Sequence, residues 1–107
     1  MVQWQNKGSS MKRVNNKQVA QAWAIGQMAT NHGDTFSTNG HKLYSYNKLI
    51  GITLPDTSKV LFEYTTKGGH FLSMTTSTKH ISPARSFATM VVTPDIKESL
   101  MRVHNII

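Results

Sequence analysis

KLYSYNKLIGITLPDTSKVLFEY, Lys42–Tyr64, carries the strand pattern on which the fold class turns. Tyr44, Tyr46, Ile50, Ile52 and Leu54 share one parity, the period of strands with one buried face. Asn47-Lys48 reads as a turn or bulge between two short strands. Pro55–Ser58 is a turn by composition. Val60, Phe62 and Tyr64 then alternate with Leu61 and Glu63, which predicts a half-buried strand. Gly68-Gly69 supplies the backbone freedom of a tight hairpin, and His70–Thr76 is expected to return beside it. The stretch therefore predicts an antiparallel β-meander of three or four strands.

Helical patterns flank it. In VNNKQVAQAWAIGQMATNHG, Val14–Gly33, Asn15 and Gln18 have capping-box spacing, and Val14 and Val19 that of a hydrophobic staple. Val19, Ala22, Trp23, Gly26 and Thr30 follow a helical stripe that Ile25 and Ala29 widen, with Gly33 as its stop. A glycine inside a helix costs about 1 kcal/mol against alanine, so Gly26 predicts close backbone approach to the sheet. Downstream, Ser82-Pro83 and Thr93-Pro94-Asp95 each read as an N-cap followed by proline at the first helical position. Ala84, Phe87, Ala88 and Val91 form one apolar stripe, and Ile96, Leu100, Val103 and Ile107 another. The expectation is an α+β fold: an N-terminal helix, the meander, and two C-terminal helices packed on one face. Its predicted core is Val19, Trp23, Ile50, Ile52, Val60, Phe62, Leu72, Phe87, Val91 and Leu100.

The 107 residues suit one domain. Residues 1–14 read as a basic N-terminal lead, with Met11 an alternative start, and 15–107 as a single α+β domain. The chain has no cysteine, which excludes disulfides, thiolate zinc sites and cysteine nucleophiles. No apolar run approaches the ~18 residues of a membrane span. MVQWQNKGSSMKR lacks the apolar core of a secretory signal. A cytoplasmic protein with no membrane partner is expected.

Charge is the feature that bears on function. Twelve Lys and Arg against five Asp and Glu give a net +7. The first acid, Asp34, follows Lys7, Lys12, Arg13 and Lys17, and the stretch from Tyr64 to Pro94 holds no acid at all. Such a field draws polyanions before any specific contact forms, although lysines also serve solubility alone. FLSMTTSTKHISPAR, Phe71–Arg85, sets hydroxyls and cations before an expected helix start, a composition suited to phosphate. Lys12, Arg13, Lys17, Lys42, Lys48, Thr76, Ser77, Lys79, His80 and Arg85 are the candidate phosphate contacts. Tyr44 and Tyr46, beside Lys42 and Lys48, form either a stacking platform for unpaired bases or half-buried strand residues.

Other chemistries have less behind them. Helix, three strands, helix is also the order of double-stranded-RNA-binding domains, but their lysine cluster is not evident here. A toxin-like ribonuclease would use His70, Lys79, His80 and Arg85, with a neutral histidine as base and cations on the phosphorane, yet no spacing enforces their convergence. His32, His41, His70, His80 and His104 are scattered, so no metal site is expected. There is no nucleophile elbow, P-loop or dinucleotide fingerprint, and no cofactor is expected. The leading expectation is a non-catalytic protein that contacts nucleic acid of either type. The alternative is an inhibitor that docks on an acidic face of a host machine such as a polymerase or defence nuclease. Oligomeric state is left open.

The helix V-A-x-x-W-A-x-G at Val19–Gly26, the strand segment N-G-x-x-L-Y-S-Y-N at Asn39–Asn47 and TTSTKH at Thr75–His80 resemble a group of small proteins encoded by tailed phages and mobile elements. The resemblance spans residue 15 to about residue 90 and is most specific at Leu43–Asn47. It implies a phage-type accessory protein acting in a bacterial cytoplasm. It assigns no residue roles.

Overall fold

A computed structural model describes residues 12–65 and 71–106. Its centre is a seven-stranded mixed sheet whose spatial order follows the chain: β1 (Lys12–Val14), β2 (Met28–Asn31), β3 (Phe36–Asn39), β4 (Leu43–Ser45), β5 (Lys48–Thr53), β6 (Lys59–Phe62) and β7 (Met90–Val92). Strands β2 to β6 are antiparallel, and each edge strand runs parallel to its neighbour. Both parallel steps need a crossover, which is where the helices lie. Helix α1 (Asn16–Ile25) links β1 to β2. A π-helical stretch (Thr76–Ile81) running into α2 (Ser82–Arg85) stands between β6 and β7. A 3₁₀ turn (Pro94–Ile96) then leads into α3 (Lys97–Val103).

This corrects the expected meander of three or four strands. The strands it lacked, β1, β2, β3 and β7, are three or four residues long and are defined by their pairing across the sheet. The capping box at Asn15 and Gln18 starts α1 as read: Asn15 Oδ1 accepts from the Gln18 amide at 2.8 Å, and Gln18 Oε1 from the Asn15 amide at 3.2 Å. The helix stops at Gly26, not Gly33. Gly26 has φ +79°, which ends the helix in the left-handed region, and Ala29 and Thr30 belong to β2. The close approach to the sheet expected of Gly26 is not found: Gly26 serves as the left-handed cap, and the tight position is the facing Gly40. A Cβ on Gly40 would lie 2.7 Å from the Gly26 carbonyl oxygen.

Other boundaries move as well. The β4–β5 turn is Tyr46-Asn47, one residue earlier than read, and a bulge shifts the register between Leu43 and Tyr44. Strand β6 is buried along its whole length instead of half-buried. The Gly68-Gly69 hairpin and His70 lie outside the described residues, and the expected return strand is absent from the part described. Residues Phe71–Ser73 are irregular and helix follows from Met74. Ser82-Pro83 is consequently not a helix start: the Ser82 amide is already bonded to the Ser77 carbonyl inside a continuing helix. Val91, read as helical, pairs with Leu61 in β7.

The helices do not share one face. Trp23 of α1 packs on Gly51 and Leu43, His80 of the π-helical stretch reaches Ser45, and Arg85 of α2 reaches Glu63. Lys97 of α3 instead lies over Phe62 and Tyr64, which flank Glu63 and point to the opposite side. Two covered faces explain why β6 is buried along its whole length. Six predicted core residues, Val19, Trp23, Ile50, Ile52, Val60 and Phe62, are fully buried. Phe87 and Leu100 are partly buried, while Leu72 and Val91 are exposed. Among the described residues no helix is long and apolar enough to cross a membrane.

Candidate nucleic-acid interface

A two-residue turn sets the site. Joining β4 to β5 through Tyr46-Asn47 places Tyr46 at φ +56°, a left-handed conformation that a bulky aromatic residue rarely adopts. Its amide donates to the Thr35 carbonyl at 2.7 Å, which fixes the turn against the β2–β3 connection. The ring is held outward, 51% exposed, with one edge against His80 at a centroid distance of 5.7 Å. Left-handed non-glycine residues cluster where function requires a side chain in one place. Tyr46, Asn47 and Lys48 form one wall of an open cleft of about 490 Å³, and Leu72, Ser73 and Thr75 form the other.

Beneath this cleft lies a buried polar network. His80 is 1% exposed, stacks parallel on Phe36 at 4.6 Å, and holds its Nδ1 2.6 Å from Ser45 Oγ. Ser45 Oγ lies 2.8 Å from Thr76 Oγ1, which accepts from Ser73 Oγ at 3.1 Å. The Thr76 amide donates to Ser73 Oγ, so Ser73 caps the start of the helical segment. One proton direction satisfies all these bonds: Ser73 to Thr76, Thr76 to Ser45, and Ser45 to an unprotonated Nδ1. Burial pushes the His80 pKa down to about 4, so the ring is neutral at physiological pH. The π-helical winding places Thr76 and His80 together on the inner side, and such windings recur at functional sites. The network anchors the floor of the cleft to the sheet.

The ten candidate phosphate contacts are distributed, not gathered. Thr76 and His80 point inward, and neither presents a surface to a phosphate. Arg85 is committed to Glu63 through two bonds of 2.6 and 2.8 Å, and this partner raises its pKa further. Arg13 pairs with Asp34 at 2.7 Å. Lys12 and Lys17 are exposed near the β1 edge, and Lys42 precedes β4 at the end opposite the Tyr46 turn. Lys79 is exposed on the π-helical stretch and Ser77 is half-buried there. Of the ten, only Lys48 and Thr76 line the cleft.

Two buried polar residues escaped the sequence reading, and only the second belongs to the site. Lys59 is buried, donating to Thr53 Oγ1 at 2.7 Å and the Gly40 carbonyl at 3.3 Å, and burial lowers its pKa. Ser45, the centre of the network, carries no local signal within LYSYN. Among the described residues no three metal-ligating side chains converge. No protein-family model, curated protein or solved structure matches the chain.

Proposed function

We propose that this is a small phage-type accessory protein that binds single-stranded nucleic acid without catalysis, with Tyr46 as the stacking platform. The observation that carries this reading is Tyr46 itself: an exposed ring held in a left-handed backbone conformation beside Lys48. A stacked base contributes about 1–3 kcal/mol whatever its identity, and a neighbouring ammonium group attracts the backbone phosphate. Stacking needs an unpaired base, so the reading narrows nucleic acid of either type to single strands. Lys79, exposed on the π-helical stretch, adds to the positive field. The phage setting rests on the resemblance in Val19–Gly26, Asn39–Asn47 and Thr75–His80.

Fluorescence anisotropy with labelled single-stranded and duplex oligonucleotides, from ~50 to ~200 mM salt, tests it. Saturable, salt-sensitive binding that prefers single strands and weakens on Tyr46→Ala is expected. Equal affinity of wild type and Tyr46→Ala would overturn the reading.

A second reading is favoured by a different observation. Phe71, Leu72 and Met74 are exposed at 41%, 43% and 66% on the Leu72 side of the cleft. An apolar group beside cations also suits docking on an acidic face of a host protein. Capture of a stoichiometric host complex, together with little affinity for nucleic acid, would select it.

A further inference from the structure

Two ammonium groups, one of them from Lys48, gather at one phenol. Tyr64 follows β6 and is 6% exposed. Lys97 Nζ, from α3, donates to Tyr64 Oη at 3.1 Å and sits 5.6 Å from the ring centroid. Lys48 Nζ, from the start of β5, lies 5.2 Å from the same centroid. An ammonium group donates and never accepts, so the phenol proton of Tyr64 must look elsewhere for its acceptor. Among the described residues it has none, and neither lysine forms a salt bridge there. The acid next to Tyr64 in sequence, Glu63, points to the other face, where Arg85 holds it. Two cations and a phenol that is free to donate, converging on a nearly buried ring, are the complement of a tetrahedral anion.

We propose that Lys48, Tyr64 and Lys97 form a phosphate site, filled by a backbone phosphate of the strand whose base stacks on Tyr46. The cluster predicts an anion by itself; its assignment to nucleic acid rests on the reading above. Lys48 belongs to both sites, because it lines the cleft and overhangs Tyr64. The ligand class is a phosphodiester or polyphosphate, whose several oxygens can each accept from a separate donor.

The test uses two probes, a labelled oligothymidylate and base-free inorganic polyphosphate as its competitor, with the full chain and the variants Tyr46→Ala, Lys97→Gln and Lys97→Arg. Losing one phosphate contact on a single strand lowers the salt slope by about 0.7. Lys97→Gln is expected to lower the oligothymidylate slope by that amount and to weaken competition by polyphosphate severalfold. Lys97→Arg keeps the charge and should restore both, which separates loss of the site from loss of the fold. Tyr46→Ala should weaken oligothymidylate while polyphosphate binding persists. An unchanged slope and unchanged competition in Lys97→Gln would overturn the phosphate site and leave the stacking reading standing. Polyphosphate binding that depends on Lys97, with oligothymidylate indifferent to Tyr46, would retain the site and overturn the stacking reading.

Discussion

His80 Nδ1 lies 2.6 Å from Ser45 Oγ although the two residues are 35 positions apart, and both side chains are closed to water. The bond joins the helical crossover to the centre of the sheet and holds the wall of the cleft that faces Tyr46.

Acid should loosen this joint. The His80 pKa falls from its ordinary 6.5 to about 4 because burial disfavours the charged ring. Above pH 6.5 both folded and unfolded chains carry a neutral ring, and the stability is complete. Between 6.5 and 4 the unfolded chain takes up a proton that the folded one refuses, so stability falls as pH falls. The loss is complete below about pH 4 and amounts to roughly 3 kcal/mol. Urea unfolding across this range should show the midpoint dropping with pH, and His80→Gln should flatten that part of the curve. A His80→Gln curve parallel to wild type would place the titration elsewhere.

Ser45→Ala should destabilise far more than a serine on a strand ordinarily would. The change leaves buried His80 Nδ1 without its donor and removes a partner of Thr76, a cost of about 1–3 kcal/mol. The denaturation midpoint should fall with an unchanged m-value. A double-mutant cycle with His80→Gln should return most of that cost as coupling.

Tyr46→Asn should separate stability from binding. Asparagine tolerates the left-handed region, so relief of backbone strain of about 1 kcal/mol offsets the lost contact with His80. The melting temperature should hold or rise. Affinity for a single-stranded oligonucleotide should drop roughly five- to 150-fold, the equivalent of one stacked base. A parallel fall in both quantities would mean that the ring serves the fold.

Gly51→Ala should disrupt the packing of α1 on the sheet. The added Cβ would lie 2.9 Å from Trp23 Cζ2 and 3.1 Å from Leu43 Cβ, in a core with nowhere to yield. Overpacking of this kind costs about 1–3 kcal/mol. The emission of Trp23 should shift to longer wavelength in the variant, because its ring must move away from β5.

Some of this was written in local sequence and some was not. The capping box at Asn15 and Gln18, the PDTS turn and the strand character of Ile50, Ile52, Val60 and Phe62 were legible, because each depends on neighbours a few residues apart. Within the candidate site, Tyr46 and Lys48 were legible as an aromatic beside a cation. Strands β1, β2, β3 and β7 were not, since only pairing across the sheet defines them. His70–Thr76 read as a strand returning from the Gly68-Gly69 hairpin, yet from Met74 the chain winds as a helix in which Thr76 and His80 find partners in Ser45 and Phe36, far away in the chain. The start of α1, the strands that carry the core and the strongly basic charge all follow from residue type and short-range spacing. Tertiary structure alone decided which cations stay unpaired. Arg85 meets Glu63 and Arg13 meets Asp34, while Lys48 lies over Tyr64 and Lys97 over Phe62 and Tyr64, because side chains pair by distance in space and not by distance along the chain.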